Sequence, residues 1–338
     1  MIGYSYSDLK KPTEAVGSYN QALEIFREKQ DESGQLHAVR SLGDAYSSME
    51  GDANKQEAAR YYDEATSGYE RNRAFEEVGQ VQLKVAELYE DSDNKADREK
   101  MIAAYQRAIA AYEQARKSEL AASTLATLGD TYVTNADDPF DTPVDADTEK
   151  AEGAYRQAVD IYKSKNDTEN AAKTLIRIAR LFDDSEDPDK RDKSYKAYTD
   201  AAKIYEGANQ HKEAANTFNR LGIIQRQQQR LDLAQGTFEK AASAFERAGE
   251  LSGQAKTLRA IAAINNCRTC DNTRKRRAAD LHRQAIALYE RMSKLSGADR
   301  TNQRSSLRSI ISIYKALGEK QLADEYVRKL DALTKDPE

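Results

Sequence analysis

One motif recurs eight times along this 338-residue chain and leaves few folds open to it. A small residue is followed by an aromatic, an alanine and a second aromatic at intervals of 4, 3 and 4. The copies are Ala15/Tyr19/Ala22/Phe26, Ala58/Tyr62/Ala65/Tyr69, Met101/Tyr105/Ala108/Tyr112, Ala151/Tyr155/Ala158/Tyr162, Ser194/Tyr198/Ala201/Tyr205, Ala234/Phe238/Ala241/Phe245 and Ala278/His282/Ala285/Tyr289, with a weaker Ala323/Val327/Leu330 at the end. These intervals put each set on one face of an α-helix. The small residues let a second helix approach and the rings fill the gap, so each face calls for a partner. A second signature precedes the copies: Leu42-Gly43-x2-Tyr46, Val85-Ala86-x2-Tyr89, Leu128-Gly129-x2-Tyr132, Ile178-Ala179-x2-Phe182, Leu221-Gly222, Ile261-Ala262 and Ile310-Ile311-x2-Tyr314. Residues 221–245 read as two amphipathic helices joined by a tight turn. From Tyr19 to Tyr62 to Tyr105 the step is 43 residues each time. A period of this size marks an array of helical hairpins, each burying its face only against its neighbours.

Composition agrees. Charged residues make up 32% of the chain and the mean hydropathy is −0.85, as suits an array in which every helix keeps a wet side. Five prolines and 16 glycines are too few for an all-β chain with a turn every ten residues or so. No apolar run reaches the ~18 residues that a membrane-spanning helix needs. The opening MIGYSYSDLKKP has no apolar core followed by a cleavage site, so it is not read as a signal peptide. Two cysteines are too few to staple a chain of this length, which points to a reducing, cytoplasmic setting. The net charge of −5 hides a polarity: residues 1–165 carry 20 basic and 32 acidic side chains, and residues 166–338 carry 32 and 25. An acidic half and a basic half imply partners of different sign, or association of one copy with another.

The paired signatures resemble the tetratricopeptide repeat (TPR) family over essentially the whole chain. In that family a hydrophobic-Gly-x2-Tyr element sits on the first helix of each hairpin and Ala-x3-aromatic-x2-Ala on the second. The 13-residue spacing from Leu221 to Ala234 matches the family's shorter unit, while Leu42 to Ala58 is 16 and Leu128 to Ala151 is 23, so turns or helix ends are lengthened there. The longer step resembles the TPRs of kinesin light chains, polarity adaptors and bacterial arrays attached to CHAT proteases or signalling ATPases. The chain departs from the pattern in having no Trp and no proline between repeats. The resemblance implies an all-α, right-handed α-solenoid of about eight TPR-like helical hairpins, one solenoid over 1–338. Ile2-Gly3-x2-Tyr6 aligns with the middle of a first helix, so the first repeat is expected to be truncated at its N-terminus.

In such arrays the first helices line a concave groove. Counting Leu42 and its equivalents as position 7, positions 2, 5, 9 and 12 face inward, with 6 nearby. In the acidic half the ninth position is Asp44, Glu87 and Asp130. In the basic half the expected groove residues are Lys173, Arg177, Arg180, Asn216, Asn219, Arg220, Arg226, Lys256, Arg259, Arg308 and Lys315. Guanidinium forks take carboxylates in bidentate fashion and Asn amides hold a peptide backbone, so the expected occupant is an acidic protein segment. The plain alternative is a set of solvated charges paired with neighbouring acids. The family's clamp for chaperone tails is not matched, because Leu83 and Glu87 stand where its Lys and Asn belong.

Other chemistry finds less support. Cys267-Arg268-Thr269-Cys270 has no second CxxC to complete a zinc site and no thioredoxin-like strand around it, so two unrelated thiols are expected. The acidic stretches 91–97, 137–149 and 183–190, and the basic 272–277 (NTRKRR), are read as loops inside hairpins. Asp91-Ser-Asp93 and Asp145-Ala-Asp147 lack the Gly and Glu of a calcium-binding loop. His37, His211 and His282 lie in different repeats, so no triad can be argued, and no phosphate-cradling glycine loop is present. Nucleic acid is disfavoured, because the aromatics are internal and the acidic half would repel a polyanion. The expectation is therefore a cofactor-free, non-catalytic protein-interaction scaffold. The alternatives are a sensor arm of a CHAT-type protease or signalling ATPase, and a self-assembling solenoid.

Overall fold

The computed structural model describes residues 11–92, 94–133 and 144–335. These form fifteen α-helices and no strand, in two compact units, Met1–Asp167 and Thr168–Glu338. The first unit holds α1 (Pro12–Glu28), α2 (Glu32–Ser47), α3 (Asp52–Arg71), α4 (Phe75–Glu87), α5 (Lys95–Gln114), α6 (Ser118–Val133) and α7 (Val144–Ser164). The second holds α8 (Thr168–Arg180), α9 (Pro188–Gly207), α10 (His211–Gln227), α11 (Leu231–Arg247), α12 (Leu251–Asn265), α13 (Asn272–Glu290), α14 (Gly297–Leu317) and α15 (Lys320–Lys335). Within each unit successive helices pack as hairpins and hairpins stack as an α-solenoid. The first-helix signature at Ile2, Gly3 and Tyr6 lies outside the described residues.

The repeated motif is the core. Tyr62, Tyr112, Tyr155, Tyr198, Phe238 and Tyr289 are at most 2% exposed, and the alanines between them are buried. One buried ring of this size is worth about 2–3 kcal/mol of transfer free energy, and each hairpin presents two such slots. The glycine of the first-helix signature is there for the ring opposite. A Cβ on Gly43 would stand 2.6 Å from Tyr62 Cε1, and one on Gly222 would stand 2.7 Å from Phe238 Cδ1. Both are closer than real carbon atoms approach, so the backbone of the first helix rests directly on the aromatic face of the second.

Five joints between hairpins share one geometry, while the joint from α13 to α14, residues 291–296, is longer and has no left-handed residue. Residues 29–31, 72–74, 115–117, 208–210 and 248–250 each form a three-residue joint from a second helix to the next first helix. The middle residue is left-handed: φ is 55° at Gln30, 54° at Arg73, 58° at Arg116, 58° at Asn209 and 69° at Gly249. The next amide then donates to the carbonyl of the motif's second aromatic, as in Asp31 N to Phe26 O (2.9 Å), Ala74 N to Tyr69 O (2.9 Å), Lys117 N to Tyr112 O (2.8 Å), Gln210 N to Tyr205 O (2.8 Å) and Glu250 N to Phe245 O (2.9 Å). This is the six-to-one bond that closes a helix C-terminus. Inside hairpins the turns vary: that between α10 and α11 repeats the geometry, with Gln229 at φ 60° and Arg230 N donating to Gln225 O at 2.8 Å, while residues 48–51 between α2 and α3 do not.

Several stretches read as loops are partly helical. Residues 272–277 are the opening of α13, started by Asp271, whose carboxylate accepts from Arg274 N at 2.8 Å. That side chain satisfies an amide the helix itself leaves unpaired, which is why a hydrophilic run with no apolar period is nonetheless helical. Likewise α5 opens at Lys95 behind the Asn94 cap, and α9 at Pro188 behind Asp187. Of 137–149, residues 144–149 belong to α7, while 137–143 lie outside the described residues. First turns of successive second helices are stitched by ion pairs, Lys55–Asp97 at 3.0 Å and Arg98–Asp147 at 3.3 Å.

Candidate functional site

The carboxylates expected to face a groove in the first unit are largely occupied. Tyr62 donates to Asp44 Oδ1 at 2.8 Å, and Tyr155 donates to Asp130 Oδ1 at 2.7 Å. Burial, and then the Asp44 charge, pushes the Tyr62 phenol far above its ordinary range. These acids hold the polar tips of core tyrosines. Glu87 pairs with Lys84 at 2.7 Å on the surface.

In the second unit the same role falls to Asp183, which is 7% exposed. It accepts from Ser194 at 3.0 Å, from Tyr198 at 3.0 Å and from Arg220 Nη2 at 3.2 Å. Burial first, and Asp183 second, push Tyr198 up to about 12. Asp299 is a second hub, 4% exposed. It accepts from Ser252 at 2.7 Å and Ser296 at 2.6 Å, and pairs with Lys256 at 3.2 Å. Burial raises the Asp299 carboxyl, but bonds from Ser296, Ser252 and Lys256 outweigh it and hold the group below its usual range.

The expected groove residues therefore separate into two sets. All lie on first helices: Lys173, Arg177 and Arg180 on α8; Asn216, Asn219, Arg220 and Arg226 on α10; Lys256 and Arg259 on α12; Arg308 and Lys315 on α14. Arg220 and Lys256 are tied to the two buried aspartates. Arg259 donates to Asn302 Oδ1 across to α14 and carries its charge beside His282 and Tyr289. Asn219 accepts from Thr257 at 3.4 Å, and Lys173 pairs with Glu169. Arg177 is half-buried. Against these, Arg180, Arg226, Arg308 and Lys315 are exposed and make no ion pair among the described residues, and Asn216 is also exposed. An opposite charge about one period away, as Asp299 is from Lys256, is the signal in the sequence that could have separated the sets.

The cysteines need correction. Cys267 and Cys270 are joined in a disulfide, not two unrelated thiols, because the turn bonded from Cys270 N to Cys267 O at 3.1 Å brings their Cα atoms to 5.1 Å. Among the described residues no three His, Cys, Asp or Glu side chains converge as a metal site. Asp147 is buried against Arg98 and Lys150, while Asp93 and the Asp145 side chain lie outside the described residues. His282 fills an aromatic core slot at 6% exposure. Burial, and then Arg259, lowers its pKa to about 4.

The tetratricopeptide repeat model matches residues 1–29, and the motif found there, Ala15/Tyr19/Ala22/Phe26, is the one that builds the hairpins of both units. The chain is therefore an all-α repeat protein whose hairpins carry the TPR-like motif. The model described as soluble NSF attachment protein, SNAP, matches residues 131–244. No curated protein matches the chain by sequence. Solved structures similar to this chain include BtubC of P. vanneervenii, with 20% identity, 72% of this chain and 92% of that one covered, and a TM-score of 0.41. A putative kinesin light chain of Podosopora anserina has 16% identity, with 75% and 94% covered and a TM-score of 0.21. A signal-transduction ATPase of Pyrococcus horikoshii with a TPR sensor has 13% identity, with 95% and 52% covered and a TM-score of 0.34. TPR arrays are protein-interaction scaffolds that generally bind proteins or peptides. Among the described residues no helix is long and apolar enough to cross a membrane.

Proposed function

We propose that this repeat protein is a non-catalytic scaffold that takes an acidic segment of a partner protein on the first helices of its second unit. The observation that supports the reading is the set of exposed, unpaired cations Arg180, Arg226, Arg308 and Lys315, with the exposed amide of Asn216 among them. Arg220, Lys256 and Arg259 do a different job in this reading. They hold neighbouring hairpins together, so they fix the backbone on which the exposed cations stand. An exposed arginine retains its charge at any physiological pH and presents a planar fork that matches a carboxylate.

The test is binding of a labelled Glu/Asp-rich peptide to the whole chain, with Arg180, Arg226 and Arg308 reversed together to Glu. A control reverses Lys196, Lys203 and Lys240, exposed on second helices, so that both variants have the same net charge. Salt-sensitive binding lost in the first and kept in the second is the expected result. Equal affinity for the two variants overturns the assignment. A second reading, association of copies through opposite charge, draws on the contrast between residues 1–165 at −12 and 166–338 at +7. It requires oligomers at low salt that dissolve at high salt, and sedimentation shows whether they form.

A further inference from the structure

The interaction surface makes no use of the Cys267–Cys270 disulfide. This bond sits in the turn from α12 to α13, and the turn stands without it. Cys270 N donates to Cys267 O at 3.1 Å. The Asp271 carboxylate caps α13 through Arg274 N at 2.8 Å. The Arg274 guanidinium reaches back to the carbonyl of Ile264, near the end of α12, at 3.3 Å. The flanking helices are held by their own buried residues, among them Ile261, Ala262, Ala278 and Ala279. The disulfide spans three residue steps, so it constrains little of the unfolded chain.

The two sulfurs are not equivalent. Cys267 is half-buried, whereas Cys270 is 6% exposed. Cys267 N donates to Cys270 Sγ at 3.2 Å. Cys270 Sγ and the Arg274 guanidinium face the same acceptor, Ile264 O, at 4.0 and 3.3 Å. Cys270 also immediately precedes the cap of α13, at the positive end of that helix. A backbone amide, a guanidinium and a helix N-terminus all favour negative charge on sulfur. The buried sulfur is thus the better leaving group and the outer one is open to attack.

We propose that Cys267–Cys270 is a reversible thiol–disulfide exchange site, attacked at Cys267 by a small-molecule thiol. The incoming thiolate bonds to Cys267 Sγ, the Cys267–Cys270 bond breaks, and Cys270 departs as a thiolate that takes a proton from water. A second thiolate attacks the small molecule's sulfur in the mixed disulfide and releases Cys267 as a thiolate, which is protonated in turn. Two thiols are oxidised to one small disulfide, and the protein gains two electrons and two protons. The reverse sequence restores the bond. Reduction leaves the turn standing and places two thiols just before the basic first turns of α13, where Arg276 and Arg277 pair with Glu319 and Glu239.

The whole chain is equilibrated in glutathione buffers of graded reduced-to-oxidised ratio, quenched with iodoacetamide and read by peptide mass spectrometry. Reduction and reoxidation are expected to be reversible, with the urea midpoint of the reduced chain close to that of the oxidised one. Cys270→Ser is expected to take one glutathione on Cys267 at least about tenfold faster than Cys267→Ser takes one on Cys270, and Arg274→Gln to slow reduction of the native bond severalfold. Urea midpoints of each variant show that the comparison is between folded chains. The proposal is overturned if the bond resists excess reduced glutathione until urea unfolds the chain. It is equally overturned if the two serine variants react at the same rate, or if neither forms an adduct.

Discussion

Alanine substituted for glycine should act in opposite directions at two positions of the hairpin α10–α11. In a helix interior that change normally stabilises by about 1 kcal/mol, because glycine loses more backbone freedom on folding. Gly236 on α11 has nothing within 4 Å of where a Cβ would sit, so Gly236→Ala should gain close to that amount. Gly222 on α10 has the same helical conformation, but its Cβ would stand 2.7 Å from Cδ1 and Cε1 of Phe238 and 3.0 Å from Cζ. Phe238 is 0% exposed and has nowhere to swing. Overpacking of this kind costs about 1–3 kcal/mol, so Gly222→Ala should lose a net ~1 kcal/mol, and the two variants should differ by about 2. With no Trp in the chain, far-ultraviolet circular dichroism in urea is the natural readout. Phe238→Leu in the Gly222→Ala background should recover part of the loss, as expected of residues in direct contact. If Gly222→Ala rises together with Gly236→Ala, the ring does not rest on the first helix and the account of the Leu-Gly signature fails.

The other expectations concern the joint and the buried imidazole. Arg116 holds φ at 58°, which is unfavourable for a residue with a side chain, so Arg116→Gly should raise the urea midpoint by the equivalent of about 0.5–1 kcal/mol; an unchanged or lower midpoint would contradict the left-handed joint. His282 has its pKa lowered to about 4 in the folded chain, against about 6.5 unfolded. The unfolded state therefore takes the proton first, and stability should fall as pH drops from about 6.5 towards 4. His282→Phe, which restores the aromatic found in other copies, should gain on the parent across that window, by on the order of 2 kcal/mol near pH 4.5. A constant difference between the two proteins from pH 7 to 4.5 would refute it.

The hairpins were legible because their cause is local. Tyr62, Ala65 and Tyr69 show a helical face wherever they occur, and repetition at a fixed step shows that the face is shared. The joints were not legible from turn chemistry, since Gln30, Arg73 and Arg116 occupy a conformation that a reader assigns to glycine. There the hydrogen bond to the preceding aromatic's carbonyl and the packing of two hairpins override local preference. The candidate site was half legible. First helices could be assigned from Leu221-Gly222 and its equivalents, and with them the cations. Which cations are spoken for depends on Asp183, 37 residues from Arg220, and on Asn302, 43 from Arg259. Such distances are invisible to a window of one helix and plain to a comparison of successive repeats. Residues 272–277 misled because a side-chain cap, Asp271, rather than an apolar stripe, begins that helix.

The recurring joint makes much of this chain divisible in a way that most proteins are not. Its three-residue splice, with one left-handed residue and one amide pointed at a ring's carbonyl, repeats in both units, while the turns inside hairpins vary in length. A hairpin excised at Arg73 and Arg116 carries compatible ends, so copying it in tandem lengthens the array by one register without a new junction to design. The irregular turns are the opposite kind of seam: a peptide tag or recognition loop inserted at residues 48–51, between α2 and α3, leaves those joints as they were.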